Sequence, residues 1–416
     1  MVFIKAFNGV RYNLEKALLK NVIAPPYDVI SNDMKAVLGN RAPYNIVRLI
    51  LPSGKDCYEN ACRTYKQWKK EGVLLKDEKP SLYIYEQGFE FEGKSYVRTG
   101  FVGLVKLEEF GKGHIFPHEK TLSAPKEDRL KLMKACRTNF SQIFGLYLDK
   151  EKKLESLFAF IKKDMPTVVA VDDEGVKNSI WQIYNEEHIN YMIDFMKDKN
   201  IYIADGHHRY ETSLDYRDFA RKMDNSSTEE IKPYDFTMMM FVNFYEDGLK
   251  VFPIHRVINI EPSFGLNIFV RNIEKFFDVE DLSAEDNLFG YLENRDSMSF
   301  IVYIGDKKIC ITVKDDMMEK LHPIYRKIDT YVFQEVILKR VLKYTDDMIA
   351  NKKNIDYINN VREFEEVSGD SRTIGFMMKG INIDWVREVS ENGLVMPQKS
   401  TFFYPKLKSG LIINDL

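Results

Sequence analysis

The chain has 416 residues, 44% of them hydrophobic and 30% charged, and its 60 Lys and Arg against 63 Asp and Glu leave a formal net charge of -3. Such a chain is globular with material for two domains, and its balance excludes a global basic field for holding nucleic acid. Four cysteines, Cys57, Cys62, Cys136 and Cys310, form no C-x-x-C pair, so they read as reduced core residues rather than a disulfide framework or zinc knuckle.

The opening stretch, Met1 to Phe7, has no charged region followed by a long apolar run, and no window approaches ~18 uninterrupted apolar residues. A cytoplasmic protein without membrane insertion is expected. Ser81 to Leu107 is β-rich. Within it, Gly88-Phe-Glu-Phe-Glu-Gly-Lys94-Ser95 matches the P-loop pattern letter for letter. A P-loop needs a helix after it, whereas both flanks are strand-like, and Glu90 and Glu92 would stand where phosphates sit. A hairpin turning at Glu92-Gly93-Lys94 is predicted instead.

Next comes Phe116-Pro-His-Glu-Lys-Thr121, between a glycine-containing loop and a helix started by Ser123-Ala-Pro125 that runs toward Arg137. Glu119 could act as a general base toward a hydroxyl, with His118 and Lys120 positioning it or binding anions. A solvated charged loop is the commoner use of such residues. His118-Glu119 lacks the second His of H-E-x-x-H, so no metal ligand is assigned.

Ile189, Met192, Ile193 and Met196 repeat at helical spacing ahead of a stop at Lys199-Asn200. An apolar strand then ends in Asp205-Gly206, and a second helix carries a stripe of Thr212, Tyr216, Phe219, Ala220 and Met223. The strand–turn–helix Ile201 to Met223 is a ready anion site. First-turn N–H groups and the helix dipole attract anions, and Gly206 lets the backbone approach closely. Arg209 adds a bidentate fork, and His207 and His208 add donors. Asp205 would repel a bare phosphate and suits a proton, a hydroxyl or a metal. The plainer alternative is an N-capping Asp followed by surface histidines.

Asp235 to Phe244 reads as a strand, Glu246-Asp-Gly248 as a hairpin turn, and Lys250 to Ile258 as a returning edge strand carrying Pro253. His255-Arg256 at its end is a weaker candidate for anion contacts. Strands near Met298 to Ile304 and Lys308 to Val313, a helix from about Thr330 to Tyr344 and a helix from Trp385 to Asn392 follow. Expected loops include 173–175, 224–228 and 369–371. Met396-Pro-Gln-Lys-Ser-Thr-Phe-Phe-Tyr-Pro405 offers Lys399, Ser400 and Thr401 to a carboxylate or phosphate, and reads equally as a closing strand.

Pro117-His118-Glu119, then Ala204-Asp-Gly-His-His-Arg209, then Pro397-x-Lys-Ser-Thr401 resemble in content and order the archaeal free-serine kinases of the ParB/sulfiredoxin-like superfamily. The whole chain also resembles the family catalogued as DUF1015, through Ala24-Pro-Pro-Tyr-Asp-Val-Ile30, Phe252-Pro-Ile-His-Arg256 and Met396-Pro-Gln-Lys-Ser-Thr401. The kinase likeness implies Glu119 as the base that activates serine, and Asp205 as a second catalytic group. It also implies Gly206, His207, His208 and Arg209 as the site for donor phosphates. His118, Lys399, Ser400, Thr401, His255 and Arg256 are expected at the substrate. Where those kinases have an Arg-His pair, this chain has Phe402-Phe403, which leaves donor and acceptor open.

The expected fold is α+β, a ParB/sulfiredoxin-like core over residues 1–255 with a second α+β lobe over 256–416, whose motif 396–405 returns to the active-site cleft. The expected function is a small-molecule phosphotransferase making O-phosphoserine from free serine, with Mg²⁺ and ADP, ATP or pyrophosphate as donor. Its partners are then an amino acid and that donor, with neither nucleic acid nor membrane. The alternatives are a ParB-like regulator using a nucleoside triphosphate as a switch, with DNA bound at a separate surface, and a phosphohydrolase.

Overall fold

A computed structural model describes the chain apart from Glu92, Lys120, Leu122, Thr228, residues 261–265, residues 283–286 and Ser371. Expectations placed on Glu92, Lys120, Thr228 and Ser371 fall outside the described residues. The fold is α+β. It divides into two compact units, one of Met1–Pro117, Thr121–Lys250 and Pro405–Leu416, the other of His118–Lys120 and Val251–Tyr404. Relative to a division at 255/256, the chain's end belongs with the first unit, and His118 and Glu119 with the second.

The first unit is built on a nine-stranded sheet. Its strands are β1 (Ile4–Lys5), β2 (Leu82–Phe91), β3 (Lys94–Lys106), β4 (Ile115–Phe116), β5 (Ile143–Tyr147), β6 (Val168–Val171), β7 (Lys177–Ile183), β8 (Ile201–Asp205) and β9 (Phe236–Asn243). They run in the order β4-β8-β5-β9-β3-β2-β7-β6, with β1 beside β3. β2 and β3 pair antiparallel from Tyr83 opposite Val102 to Phe91 opposite Lys94, so a strand follows the P-loop-like pattern and the hairpin reading holds. All of β9 is buried, as the apolar run Met238–Val242 suits a central strand.

Helix α1 (Cys57–Lys70), α2 (Ser123–Cys136), α3 (Glu186–Met196) and α4 (His207–Asp224) belong to this unit. Asn185 caps α3, its side chain accepting from the His188 N–H at 3.1 Å, and the helix buries Ile189, Met192 and Met196 as its spacing predicts. α4 buries Thr212, Tyr216 and Ala220, with the latter two packing on Leu130 and Met133 of α2. Phe219 and Met223 stay exposed, contrary to the predicted stripe, because the buried face turns instead through Tyr210 and Ser213. The tail 405–416 is laced in by the backbone, Ser409 N–H to Ala24 O at 2.8 Å and Ile413 N–H to Val10 O at 2.9 Å.

The predicted hairpin at Glu246-Asp-Gly248 does not form. The turn exists, but β9 pairs with β3 and β5, and the next segment leaves the sheet. Pro253 has no N–H to donate, and the chain breaks there into Lys250–Phe252 and β10 (His255–Asn259). In the second unit, β10 is interior rather than an edge. With β11 (Phe277–Asp281), β12 (Ser299–Ile304), β13 (Lys307–Val313), β14 (Ile355–Ile358) and β15 (Thr373–Met377) it forms a six-stranded sheet ordered β11-β13-β12-β15-β10-β14. The helix predicted from about Thr330 is a short α-turn, Asp329–Val332, continued by a π-helical stretch, Phe333–Val341.

Candidate functional site

β8 delivers the turn. It pairs parallel to β4 and antiparallel to β5, and the β5 register slips between Ile203 and Asp205, so the strand is re-aimed just before it ends. Gly206 has φ 94°, a left-handed conformation, and a Cβ there would meet the Arg209 guanidinium at 2.8 Å. The backbone conformation favours glycine, and a side chain there would also have to displace the guanidinium. No side chain caps the N-terminus of α4, so its first-turn dipole is not neutralised by a capping oxygen.

Arg209 folds back over Gly206 and donates Nη2 to Asp205 Oδ2 at 2.7 Å and Nη1 to the Gln142 carbonyl. Lys406 Nζ reaches the other oxygen, Asp205 Oδ1, at 2.9 Å. Burial would raise the Asp205 carboxyl, but Lys406 and Arg209 outweigh it and hold the group well below the usual carboxylate range. Asp205 is thus a permanent anion that orients two cations, and it does not accept protons near neutral pH. Two cations on one carboxylate leave the turn net positive. Arg98, fully buried on β3, donates to Gln87 and to the Pro405 carbonyl and lies over the Phe144 ring at 4.8 Å. Burial lowers it to about 10, so it remains charged at neutral pH. Its bond to Pro405 and that of Gln87 to the Lys406 carbonyl, 3.2 Å, fix the strap that carries Lys406.

His207 is buried and His208 half-buried. Among the described residues no group of three or more His, Cys, Asp or Glu could hold a metal ion, and both Asp205 oxygens are engaged.

The second unit joins the other two motifs. Met396 N–H donates to the His118 carbonyl at 2.7 Å, and Glu119 forms a parallel bridge with Met396. Lys399, at φ 57°, donates its N–H to Glu119 Oε1 at 3.1 Å, and His118 Nε2 lies 3.0 Å from Thr401 Oγ1. His118 and Ser400 are buried, and Ser400 Oγ bonds Thr330 Oγ1 at 2.8 Å and the Pro397 carbonyl at 2.6 Å. Arg256 is also buried, donating to the Ile254 carbonyl and, at 2.7 Å, to the Lys399 carbonyl. His255 is fully buried with Nδ1 accepting from Met378 N–H at 3.1 Å, and burial pulls it down to about 4. These contacts give His255 and Arg256 internal structural partners. Asp329 is buried near Arg256, and burial pushes it up to about 6 against the pull of that guanidinium.

A groove of about 710 Å³ among residues 32–64 contains none of these motif residues, and its size alone does not make it the site. Sequence reasoning missed Lys406, just past the Pro405 that closed its third motif, and Arg98, a charge at a buried strand position.

The family described as a protein of unknown function, DUF1015, matches residues 4–331. The chain belongs to that family. In this DUF1015 protein the match takes in the Asp205 turn and the Glu119 loop, while Met396–Thr401 lies beyond it. No curated protein matches the chain. Solved structures with some similarity include a free serine kinase variant in complex with AMP, 14% identical with a TM-score of 0.36 over 70% of this chain and 84% of that one. A conserved hypothetical protein from Pyrococcus furiosus is 12% identical with a TM-score of 0.36, over 73% and 91%. SbnI with a C-terminal truncation, from Staphylococcus aureus, is 8% identical with a TM-score of 0.37, over 74% and 84%. At these values the likeness decides neither fold nor chemistry.

Proposed function

We propose that this DUF1015 protein is a small-molecule phosphotransferase whose Asp205–Arg209 turn binds the phosphates of the donor. The observation that carries the reading is the pairing of Arg209 and Lys406 on Asp205 at the uncapped start of α4. A group that must hold phosphate oxygens while negative charge shifts between them needs fixed positive charge that does not reorganise. Asp205 supplies the fixing, and Arg209 and Lys406 supply the charge.

Free serine is the acceptor that the three-motif resemblance implies, with ADP, ATP or pyrophosphate as donor. A neutral hydroxyl is a weak nucleophile, so a base must take its proton as the new phosphorus–oxygen bond forms and the donor's bridging phosphorus–oxygen bond breaks to release AMP, ADP or phosphate. Glu119 is assigned that role, its carboxylate oriented by the Lys399 N–H. Mg²⁺ carried by the donor's own phosphates needs only one or two protein carboxylates, and the reading rests on the side-chain cations of the turn.

The test is phosphoryl transfer by the purified protein, offering serine and related hydroxyl compounds against each donor, with Glu119→Gln and Arg209→Ala in parallel. Serine-dependent formation of O-phosphoserine, lost in both variants, is expected. Donor hydrolysis indifferent to serine would replace the kinase with a hydrolase, and donor binding without turnover would replace it with a nucleotide switch.

A further inference from the structure

Beside the turn, the first unit carries a partly open cavity of about 50 Å³ whose lining includes Tyr27, Arg129, Ser141, Arg209, Ser213 and Thr237. Among the described residues no carboxylate lines it. Arg129 is buried, with its guanidinium 4.2 Å from the centre of the Tyr27 ring. It is aligned by the Ile50 carbonyl at 2.5 Å and by Asp128, whose Oδ2 accepts from Nε at 2.9 Å. Arg209 lines the same cavity while holding Asp205. A guanidinium carries five N–H donors, more than either of these alignments consumes. The hydroxyls of Ser213 and Thr237 bond each other at 3.0 Å.

The phenol of Tyr27 is pushed up to about 12, by burial first and Asp28 next, against the pull of Arg129 and Arg209, so it stays a donor. Tyr27 sits in Ala24–Ile30, a segment that the phosphate turn does not use. A water needs roughly 10–15 Å³ of such space, so the cavity has room inside for a head group of a few atoms.

We propose that this cavity is a second oxyanion subsite, in which Arg129 and Arg209 hold one carboxylate or phosphate group of the small substrate beside the Tyr27 ring. It stands on its own lining and rests on the phosphotransferase reading only for which substrate brings the group. The shared chemistry is a single planar or tetrahedral oxyanion between two guanidinium groups, which Arg recognises with two N–H donors at once.

The experiment is calorimetric titration of the full chain with inorganic phosphate, L-serine and ADP, for the wild type, Arg129→Gln and Tyr27→Phe, each checked for folding by thermal melting. Arg129→Gln is expected to weaken phosphate or serine by about tenfold or more while ADP affinity changes by less than about twofold. Tyr27→Phe, which keeps the ring beneath Arg129, is expected to weaken the same ligand by a smaller factor and decides the matter if Arg129→Gln does not fold. Loss confined to serine identifies a carboxylate subsite, and loss confined to phosphate identifies a phosphate subsite. Either outcome supports the proposal even if no phosphoryl transfer is ever seen. Wild-type failure to bind both phosphate and serine, an equal loss of ADP affinity, or unchanged affinities in the folded variants would overturn it.

Discussion

The Asp205 turn and the Glu119 loop each hold a carboxylate from a short motif, by different means. Asp205 is gripped by two cationic side chains, Arg209 and Lys406, and is held as an anion. Glu119 meets a backbone N–H, that of Lys399, whose own carbonyl is tied down by buried Arg256. The two acids thus differ in what holds them, cationic side chains within hydrogen-bond reach at the turn and a backbone N–H at the loop. In the proposed reaction the first binds phosphate and the second takes a proton.

The largest effect is expected from Asp205→Ala, which leaves Arg209 and Lys406 without their common anion. Stability should fall by about 3–5 kcal/mol, as when one partner of a buried pair is removed. Because the folded carboxyl sits below its unfolded value, its stabilising contribution is present above about pH 4 and is lost as pH falls through the folded value. Urea unfolding across the acid range should show that slope in the wild type and not in the variant. Equal stability of the two proteins at pH 7 would break the contrast.

Asp329, in the second unit, has the opposite sign. Its folded value of about 6 lies above the unfolded one, so the folded state holds the proton more tightly, and stability declines as pH rises from about 4 to about 6. The cost is at most about 3 kcal/mol. Asp329→Asn should remove the decline, read from denaturation midpoints at pH 4 and pH 7. A variant with an undiminished slope would assign it to another group.

Gly206→Ala sharpens the comparison at the turn. A side chain at that φ costs about 1–2 kcal/mol, and the added Cβ must displace Arg209. A lower melting temperature together with weaker ADP binding is expected. Retained ADP affinity would separate the turn from the phosphates. The smallest effect is expected from Lys94→Ala in the P-loop-like segment, an exposed hairpin residue, with nucleotide affinity unchanged.

Sequence periodicity was enough for the α+β class, for α3, for the β2–β3 hairpin that rules out a P-loop, and for the strand–turn–helix around Gly206. Each depends on residues within a few positions of one another, where hydrophobic spacing, a capping Asn or a left-handed glycine acts directly. It erred at Glu246-Asp-Gly248, where a good turn joins segments that do not pair, because a turn's chemistry does not say which strand accepts the next one's hydrogen bonds. It also left Phe219 and Met223 on the wrong face, since which side of a helix is covered depends on what packs there. Only the tertiary structure decided that Lys406 meets Asp205 across 201 positions and that the Lys399 N–H meets Glu119 across 280. Such pairs are set by the path of the whole chain, and no local pattern encodes that path. The same holds for the half-buried ring of Tyr27 beneath Arg129, which brings a proline-rich segment near the N-terminus to a residue on α2.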